Sequence, residues 1–490
     1  MAAEESVQVF KDIRVKDENS IEFTLAPTRV AYANTLRRAM QTHVRTVGFR
    51  ADITETGTTS DVMIYKNSTP MSNEMLADRV GLLPIHEENV DGWDKDRYLF
   101  KLHVKNETPD IRHVTASDFE VFEKKGASGL SADELEAEEK EGDSKEAEGE
   151  GEESDLVKVP NRRFFRPDPI SRQTCLIATL KPQVEGQPPE EIHLEARASV
   201  GIGREHIRFS PICIAAYGNS LDNSQEAVTE KWLEWLRENK KVDPRELAKD
   251  EEKKKELERE FRTMEIYRAY LKGPDGEPYS FDWKVESAGV IPPSVCVYRS
   301  CLALTALFEK YGNVADGDLP ETMEIRPADS RLKGYDVLFQ HEDYTLGNAL
   351  QTWIDENLIA PGDGGVSFVG FKVPHPLRDE GVLRIGMEEP SELGVRQVIA
   401  RAAEALADMY RKWASEWESG EAAAYITMPK KLWDAHAEAK EDERKAALPV
   451  GAVEVKKPGA ARAAIVRPTG PPRAAASAPP TGAPVVVKKK

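Results

Sequence analysis

Residues that could carry catalysis are few in this 490-residue sequence. His206 and Cys213 are residue types that often act in catalysis, and they lie close together in the chain. The run Gly201-Ile-Gly203-Arg-Glu-His206 begins like a phosphate-binding loop, but it lacks the following Gly and the Lys-Ser/Thr pair. An enzyme with its site near His206 or Cys213 therefore remains one hypothesis.

Other common catalytic and metal-binding patterns are missing from the sequence. It has no Gly-x-Ser-x-Gly turn, no His-Glu-x-x-His and no Asp-x-Asp-x-Asp triplet. Cys175, Cys213, Cys296 and Cys301 form no Cys-x-x-Cys pair, so we predict no zinc site, no other metal and a reducing compartment. His375 lies between two prolines, which favours a turn or an interface over metal binding.

Two adjacent arginines are the best candidates for recognition. Arg37 and Arg38 lie on a predicted helix, where neighbours point to different sides. Only one can lie near the apolar face, while the other reaches outward. A guanidinium is well suited to bind a carboxylate of a partner through two hydrogen bonds. The simpler interpretation is a core helix with two solvated arginines.

A strand followed by a helix positions these arginines, and the same unit recurs about three hundred residues later. Residues 21–25 alternate as a strand, and the helix from an N-cap at Thr28 to about His43 carries Asn34 and Leu36. In the second copy, residues 335–340 form the strand, and the helix 345–357 carries Asn348 and Leu350.

The second copy continues with strands 366–373 and 382–387 and a helix from Ser391 to about Trp417. In the first copy we expect strand 47–53, then a long insertion at the junction of the two middle strands, then strand 281–285 and a helix from Pro293 to Tyr311. Both copies thus read βαββα. Each leaves an apolar helical face that the other can cover, so we predict an α+β fold with an intramolecular pseudo-dimer.

Composition divides the rest of the chain. The net charge is −19, and residues 133–155 carry thirteen Asp/Glu against two Lys, so we predict a disordered acidic loop at 131–155. An acidic chain is a poor candidate for binding nucleic acid alone. We expect no signal peptide and no membrane span.

The predicted domains are a first unit in two parts (1–57 and 278–315), an inserted domain (58–277) with charged helices at 225–271, a second, smaller unit (330–420), a helical extension (421–446) and a disordered, basic, Ala/Pro-rich tail (447–490).

Several motifs resemble the alpha-like subunits of multisubunit DNA-directed RNA polymerases. Ala33-Asn-Thr-Leu-Arg-Arg38, Glu74-Met-Leu-Ala-Asp-Arg-Val-Gly-Leu-Leu-Pro-Ile85, Arg204-Glu-His-Ile-Arg-Phe-Ser-Pro211 and Phe281-Asp-Trp-Lys-Val-Glu-Ser287 are similar to the third-largest subunit of RNA polymerase II. Glu342-Asp-Tyr-Thr-Leu-Gly-Asn-Ala-Leu350, Phe371-Lys-Val-Pro-His-Pro-Leu377 and Leu383-Arg-Ile385 are similar to the eleventh subunit. The chain thus resembles a fusion of the two, and such fusions suggest a large DNA virus as the source.

The resemblance implies a non-catalytic platform for complex assembly in transcription, without cofactors. Its implied partners are the largest and second-largest subunits and small assembly subunits, with DNA contacted only indirectly through the complex. It places the subunit interfaces at Asn34, Leu36, Arg37, Arg38, Arg79, Gly81, Leu82, Pro84, Asn348, Leu350, Phe371, His375 and Pro376.

Departures and alternatives remain. Gln351 stands where the smaller subunit usually has an arginine, and the zinc-binding cysteines of many larger subunits are absent. A freestanding acidic regulatory or binding protein on the same fold is the alternative function. The expected location is intracellular: the nucleus or, for a virus, the cytoplasm or nucleus of the infected cell and the virion.

Overall fold

A computed structural model describes residues 8–53, 61–87, 89–124, 156–168, 170–247, 250–328, 332–362 and 365–420. The predicted acidic loop (131–155), helical extension (421–446) and basic tail (447–490) lie outside these residues. Within the described ranges there are seventeen strands and eight α-helices.

The strands are β1 (Phe10–Asp17), β2 (Ser20–Leu25), β3 (Arg45–Gly48), β4 (Val62–Asn67), β5 (Tyr98–Lys105), β6 (Arg112–Thr115), β7 (Glu120–Lys124), β8 (Leu156–Val159), β9 (Leu176–Leu180), β10 (Glu191–Ala196), β11 (Ser199–Ile202), β12 (Ile212–Asn219), β13 (Phe281–Ser287), β14 (Met323–Pro327), β15 (Gly334–Gln340), β16 (Val366–Lys372) and β17 (Glu380–Met387). The helices are α1 (Val30–Thr42), α2 (Asn73–Gly81), α3 (Gln225–Trp235), α4 (Pro244–Leu247), α5 (Glu251–Met264), α6 (Pro293–Gly312), α7 (Tyr344–Ile354) and α8 (Glu392–Ser419).

The first sheet has the antiparallel order β1-β2-β13-β12. Along β2, Ile21, Phe23 and Leu25 are buried, as the alternating pattern predicts. Phe23 stacks on Trp283 of β13 with ring centroids 5.5 Å apart. The apolar face of this sheet packs against α1 and α6 in one core.

The position of β12 corrects the predicted order of elements. We expected strand 47–53 in this sheet and the insertion between the two middle strands. Instead, β3 ends at Gly48 and pairs with β11, while β12 pairs with β13 from Ile212↔Ser287 to Asn219↔Phe281. The long excursion therefore begins directly after α1 and ends before β12.

The second copy of the unit forms a separate sheet with the order β14-β15-β17-β16. Its predicted strands and helices are present, and β14 is an additional edge strand. A π-helical turn, Asp355–Ile359, continues α7. Ser391 caps α8, since its hydroxyl accepts a hydrogen bond from the Gly394 N–H at 3.0 Å.

Residues from both copies share one hydrophobic core, which includes α1, α6, α7 and α8. Helices α6 and α8 run antiparallel, because Trp417 near the end of α8 bonds the Ser294 carbonyl at the start of α6 (3.0 Å). Further along, Phe308 stacks on Tyr410 with centroids 5.7 Å apart. The rings of Phe10 and Phe23 pack against Trp417, which joins the first sheet to the last helix.

A second core lies between the sheet β4-β10-β5-β7-β8, the strand pairs β6-β9 and β3-β11, and α2. Its centre is aromatic, with Phe100 in contact with Phe49 and Phe164.

A third, small core lies in the helical stretch between β12 and β13, which the charged sequence of 225–271 predicts. Trp232, Trp235 and Phe261 pack on each other there. Leu257, Phe261 and Met264 recur at helical spacing along α5. The first two are buried, but Met264 is 73% exposed.

The predicted N-cap at Thr28 is wrong. Arg29 occupies the N-cap position of α1 without a side-chain capping bond. The Thr28 N–H instead bonds the Tyr279 carbonyl at 2.9 Å, so Thr28 is committed to the neighbouring chain segment.

Candidate functional site

Helices α1 and α7, which carry the repeated Asn and Leu, contact each other directly. Leu36 and Leu350 are both fully buried in the shared core. The Thr35 hydroxyl donates a hydrogen bond to the Thr345 carbonyl at 3.2 Å. Asn34 and Asn348 are half-buried at the edge of this contact.

The two helices cross in an antiparallel direction. At one end, Arg38 in the C-terminal half of α1 binds Asp343, the N-cap residue of α7. At the other end, Arg29, the N-cap of α1, forms an ion pair with Glu356, just beyond α7. The Tyr32 hydroxyl also donates to Glu356 at 3.2 Å.

Arg37 and Arg38 separate as predicted. The Arg38 side chain extends from α1 to the start of α7. Its Nη2 lies 2.7 Å from Asp343 Oδ2, and its Nε lies 2.9 Å from Thr345 Oγ1. Arg37 stays on α1, where it donates to Asn34 at 2.9 Å and to Gln41 at 3.1 Å. The carboxylate bound by Arg38 belongs to this chain and receives one hydrogen bond from it, not two.

Charges around this crossing shift the titration of nearby groups. Burial raises the pKa of Asp343, but hydrogen bonds from Thr345 and the positive charges of Arg38 and Arg204 outweigh it, so the net shift is downward. Burial, with Arg204 and Arg38 nearby, lowers the pKa of His43 to about 4, against the weaker opposing effect of Asp343. Asp343 is therefore ionised and His43 neutral at pH 7.

Arg204 is a further connection that the motif spacing did not predict as an intramolecular contact. It follows β11, and its Nη2 lies 2.9 Å from Asp379 while its Nη1 lies 3.9 Å from Glu342. Glu342 is buried and accepts a hydrogen bond from the Tyr311 hydroxyl at 3.2 Å. Burial raises the pKa of Glu342, against the opposing charges of Lys310 and Arg204.

Gly203 explains how the chain at Arg204 can lie so close to the end of α1. A Cβ at Gly203 would lie 1.9 Å from the Gln41 carbonyl oxygen at the end of α1, so only glycine allows this approach. The sequence feature that indicates this contact is Gly203. In the motif analysis above it counts only as part of a possible phosphate loop.

Phe371 is half-buried and packs against α7 of the second half. Its ring packs over Gly347, where a Cβ would lie 2.2 Å from ring atoms, and it meets Tyr344 edge-on at 5.4 Å. Its backbone N–H donates to the Gln351 side-chain oxygen at 2.7 Å. Gln351 therefore has an internal role.

His375 and Pro376 lie in an exposed loop before β17. Leu377 at its tip is 90% exposed. The base of the loop is fixed by Asp379, which contacts His341 Nδ1 at 2.8 Å and Arg204 at 2.9 Å.

The residues predicted around α2 have different environments. Arg79 donates to the carbonyls of Ile177 (2.5 Å) and Leu176 (3.0 Å), so it ties α2 to β9. Gly81 is buried, and a Cβ there would lie 2.4 Å from the Arg208 guanidinium. Pro84 is half-buried.

One apolar edge of α2 remains open to solvent. Leu82 is 56% exposed and Met75, seven positions earlier and hence on the same side of the helix, is 58% exposed. Together they form an exposed apolar edge.

His206, named above for a possible enzyme, is hydrogen-bonded to a neighbouring residue, and Cys213 is exposed. Both Arg208 Nε (3.0 Å) and its backbone N–H (3.2 Å) donate to His206 Nδ1. Cys213 and Cys175 are exposed, whereas Cys296 and Cys301 are buried, and burial raises the pKa of Cys296 to about 12. No cluster of three metal-ligating side chains occurs among the described residues.

Comparison with known proteins identifies the class. Residues 335–416 match the RNA polymerase Rpb3/Rpb11 dimerisation domain. They span β15 to α8, the elements that pack against α1 and α6. The chain therefore carries an Rpb3/Rpb11-type alpha-like domain, as the resemblance predicted.

Individual relatives extend the likeness to much of the chain. It is 25% identical over 315 residues to the human DNA-directed RNA polymerases I and III subunit RPAC1, covering 60% of this chain and 80% of the relative. It is 27% identical over 302 residues to subunit RPB3 of RNA polymerase II from Schizosaccharomyces pombe (58% and 79%). It is 27% identical over 224 residues to subunit Rpo3 from Methanopyrus kandleri (45% and 63%). The chain is thus homologous to the RPAC1 and Rpb3 subunits.

The helices of the described part of the chain differ from membrane-spanning helices. No helix there has the length and apolar character needed to cross a bilayer.

Proposed function

We propose that this protein is a non-catalytic assembly subunit of a multisubunit DNA-directed RNA polymerase, in which two alpha-like halves pair within one polypeptide. The observation that carries the proposal is the shared core. The segment that matches the dimerisation domain packs its α7 and α8 against α1 and α6, which lie in the N-terminal part of the chain.

Pairing within one chain has a physical advantage. Two separate partners must find each other in solution, whereas two linked halves meet at a high effective concentration. We infer that the chain combines a larger, Rpb3-type half with a smaller, Rpb11-type half. The second core around β5 and β10 is then a domain inserted into the larger half. The viral source that such a fusion suggests stays a prediction.

We infer that two exposed apolar features dock the large subunits. One is the α2 edge formed by Met75 and Leu82, and the other is the loop tip at Leu377. Predicted interface residues lie beside them: Arg79 and Gly81 hold α2 in place, and His375 and Pro376 flank Leu377. Exposed apolar side chains on fixed supports are typical of interaction surfaces.

The proposal assigns catalysis to the partners. The implied partners are the largest and second-largest subunits and small assembly subunits, and DNA is contacted through the complex. No cofactor is needed for pairing or docking. The expected location is that of the polymerase, namely the nucleus or, for a viral enzyme, the infected cell.

Aspartate variants of the exposed leucines test the docking surfaces. Leu82→Asp and Leu377→Asp should each reduce co-purification of the two large chains, since a charge must then be desolvated in the interface. Met264→Asp is the matched control, because Met264 is also exposed but lies on the helical stretch between β12 and β13. Thermal midpoints should stay unchanged in all three.

The same pull-down separates the other hypotheses. A stable monomer without large partner chains would support a freestanding acidic binding protein. Turnover by the isolated chain, lost in His206→Ala, would support an enzyme. Either result would overturn the proposed function.

A further inference from the structure

The two central helices begin at equivalent positions that carry opposite charges. Helix α7 begins at Tyr344, 314 positions after the start of α1 at Val30, and the same step relates Asn34 to Asn348. The N-cap residues are therefore equivalent. One is Arg29 and the other is Asp343.

Each N-cap lies at the far end of the partner helix and meets an opposite charge there. Arg29 pairs with Glu356, with 36% and 28% of the two side chains exposed. Asp343 pairs with Arg38, with 31% and 28% exposed. In both contacts the cation comes from the N-terminal half and the anion from the C-terminal half. Such half-buried pairs are screened less than fully exposed ones.

We propose that these two ion pairs determine which halves pair: they favour one N-terminal half with one C-terminal half and oppose pairing of like halves between two copies of the chain. The proposal rests on the proposed pairing of the halves, and it adds the residues that make the pairing selective. Specificity of this kind needs contacts that penalise the wrong partner as well as contacts that favour the right one.

Replacing each residue by its equivalent shows the penalty for two N-terminal halves. The same antiparallel crossing would place Arg38 of one copy opposite Arg29 of the other, because Arg29 is the equivalent of Asp343. Two-fold symmetry would repeat this contact at the other end. Both ion pairs would be lost, since Asp343 is replaced by a cation and Glu356 by its uncharged equivalent, Thr42.

Two C-terminal halves meet the opposite difficulty. Glu356 of one copy would lie opposite Asp343 of the other, again twice, because Asp343 is the equivalent of Arg29. Both like-with-like arrangements thus oppose equal charges. Leu36 and Leu350, the same residue at equivalent positions, give no such discrimination.

Other charges face these four groups and must be kept constant in any test. Asp275 also pairs with Arg29, and Arg204 lies near Asp343. Glu342 and Lys310 form a neighbouring contact (3.6 Å).

Charge-exchange variants of the full chain test the proposal. In Arg29→Glu/Arg38→Glu both halves carry anions at the crossing, and in Asp343→Arg/Glu356→Arg both carry cations. Each double variant should show a thermal midpoint several degrees lower, since equal charges then meet within the chain. Combining all four substitutions restores opposite charges and should recover most of the loss. Because Asp343→Arg removes the same helix cap in the second double variant and in the quadruple variant, recovery between those two cannot come from the cap.

Association between chains gives an independent readout. Co-expressed with different tags, the two double variants should exchange halves and form mixed dimers, because the anionic halves of one match the cationic halves of the other. Mixed dimers should be roughly tenfold more abundant than those of either variant with the wild type, as measured by two-tag purification and light scattering. Arg37→Glu is the matched control: it changes the charge of the adjacent arginine, which bonds only within α1, and should promote no exchange.

Two outcomes would overturn the proposal. One is additivity, in which the decrease in thermal midpoint of the quadruple variant equals the sum of the decreases of the two double variants. The other is mixed dimers no more abundant than with the wild type. If the double variants do not fold, the quadruple variant alone decides, by folding or failing to fold. Co-purification of the wild type with large polymerase chains tests the proposed function separately, so the two failures are distinguishable.

Discussion

The side-chain oxygen of Gln351 on α7 accepts a hydrogen bond from the backbone N–H of Phe371 on β16, at a distance of 2.7 Å. This contact fixes the helix to the sheet of the second half beside the ring of Phe371. Its location explains why a neutral side chain suits this position, where the sequence already put an outward charged contact in doubt.

Gln351→Ala should lower the free energy of unfolding by about 1–2 kcal/mol, because the N–H of Phe371 loses its acceptor in a half-buried site. Gln351→Glu retains an acceptor and should lose less. Thermal unfolding of both variants measures the difference. Gln187→Ala, in an exposed loop, is the control. Equal stability of wild type and Gln351→Ala would show that the bond is unimportant.

Gly347→Ala should destabilise the second half by about 1–3 kcal/mol, because the new Cβ overlaps the Phe371 ring. In a Phe371→Ala background the same change should cost much less, since the ring is gone. A double-mutant cycle by thermal unfolding measures this coupling. Gly218→Ala, where a Cβ meets nothing within 4 Å, is the control for adding a methyl group without a clash. Additive effects would contradict the packing described for Phe371.

His43 should make stability depend on pH between about 6.5 and 4. Its pKa is lowered to about 4 in the folded protein, from 6.5 in the unfolded chain. Between these values the unfolded state binds more protons, so the contribution of His43 is present above pH 6.5 and is lost as the pH falls through 4.

His43→Gln should therefore flatten the acid side of the stability profile by about 1–3 kcal/mol. Denaturant unfolding at a series of pH values gives the difference from wild type, which removes the shared titration of carboxylates. A difference that stays constant from pH 7 to pH 4 would exclude a buried neutral His43.

Leu36→Asp or Leu350→Asp should cost about 3–5 kcal/mol, because each places an unpaired charge in the shared core. Both variants should also lose the large partner chains in a pull-down. Leu302→Asp is the matched control, since Leu302 lies on α6 but is 42% exposed. A folded Leu36→Asp/Leu350→Asp variant that still assembles would refute the role assigned to this seam.

Local periodicity was sufficient to predict the elements at the pairing site. The alternation of Ile21, Phe23 and Leu25 and the spacing of Leu36 and Leu350 depend on neighbours in sequence, and the structure places all five in the shared core. The separation of Arg37 and Arg38 follows from helix geometry alone.

Contacts between distant residues could not be predicted in this way. β12 was missed because its residues alternate weakly, and only its pairing with β13 shows that it belongs to the first sheet. The local sequence predicts that Thr28 is an N-cap. In the structure its N–H bonds the carbonyl of Tyr279, 251 positions later in the chain. The partners of Arg29, Arg38 and Arg204 are similarly remote, and a single sequence does not reveal which carboxylate each one meets.

The most direct measurement is the subunit stoichiometry of the complex purified from its native source through a tag on this chain. The predicted result is one copy of this chain with one copy each of the two largest polymerase subunits and no separate smaller alpha-like chain. Two copies of this chain, or a separate Rpb11-type subunit in the same complex, would contradict the pairing of both halves within a single polypeptide.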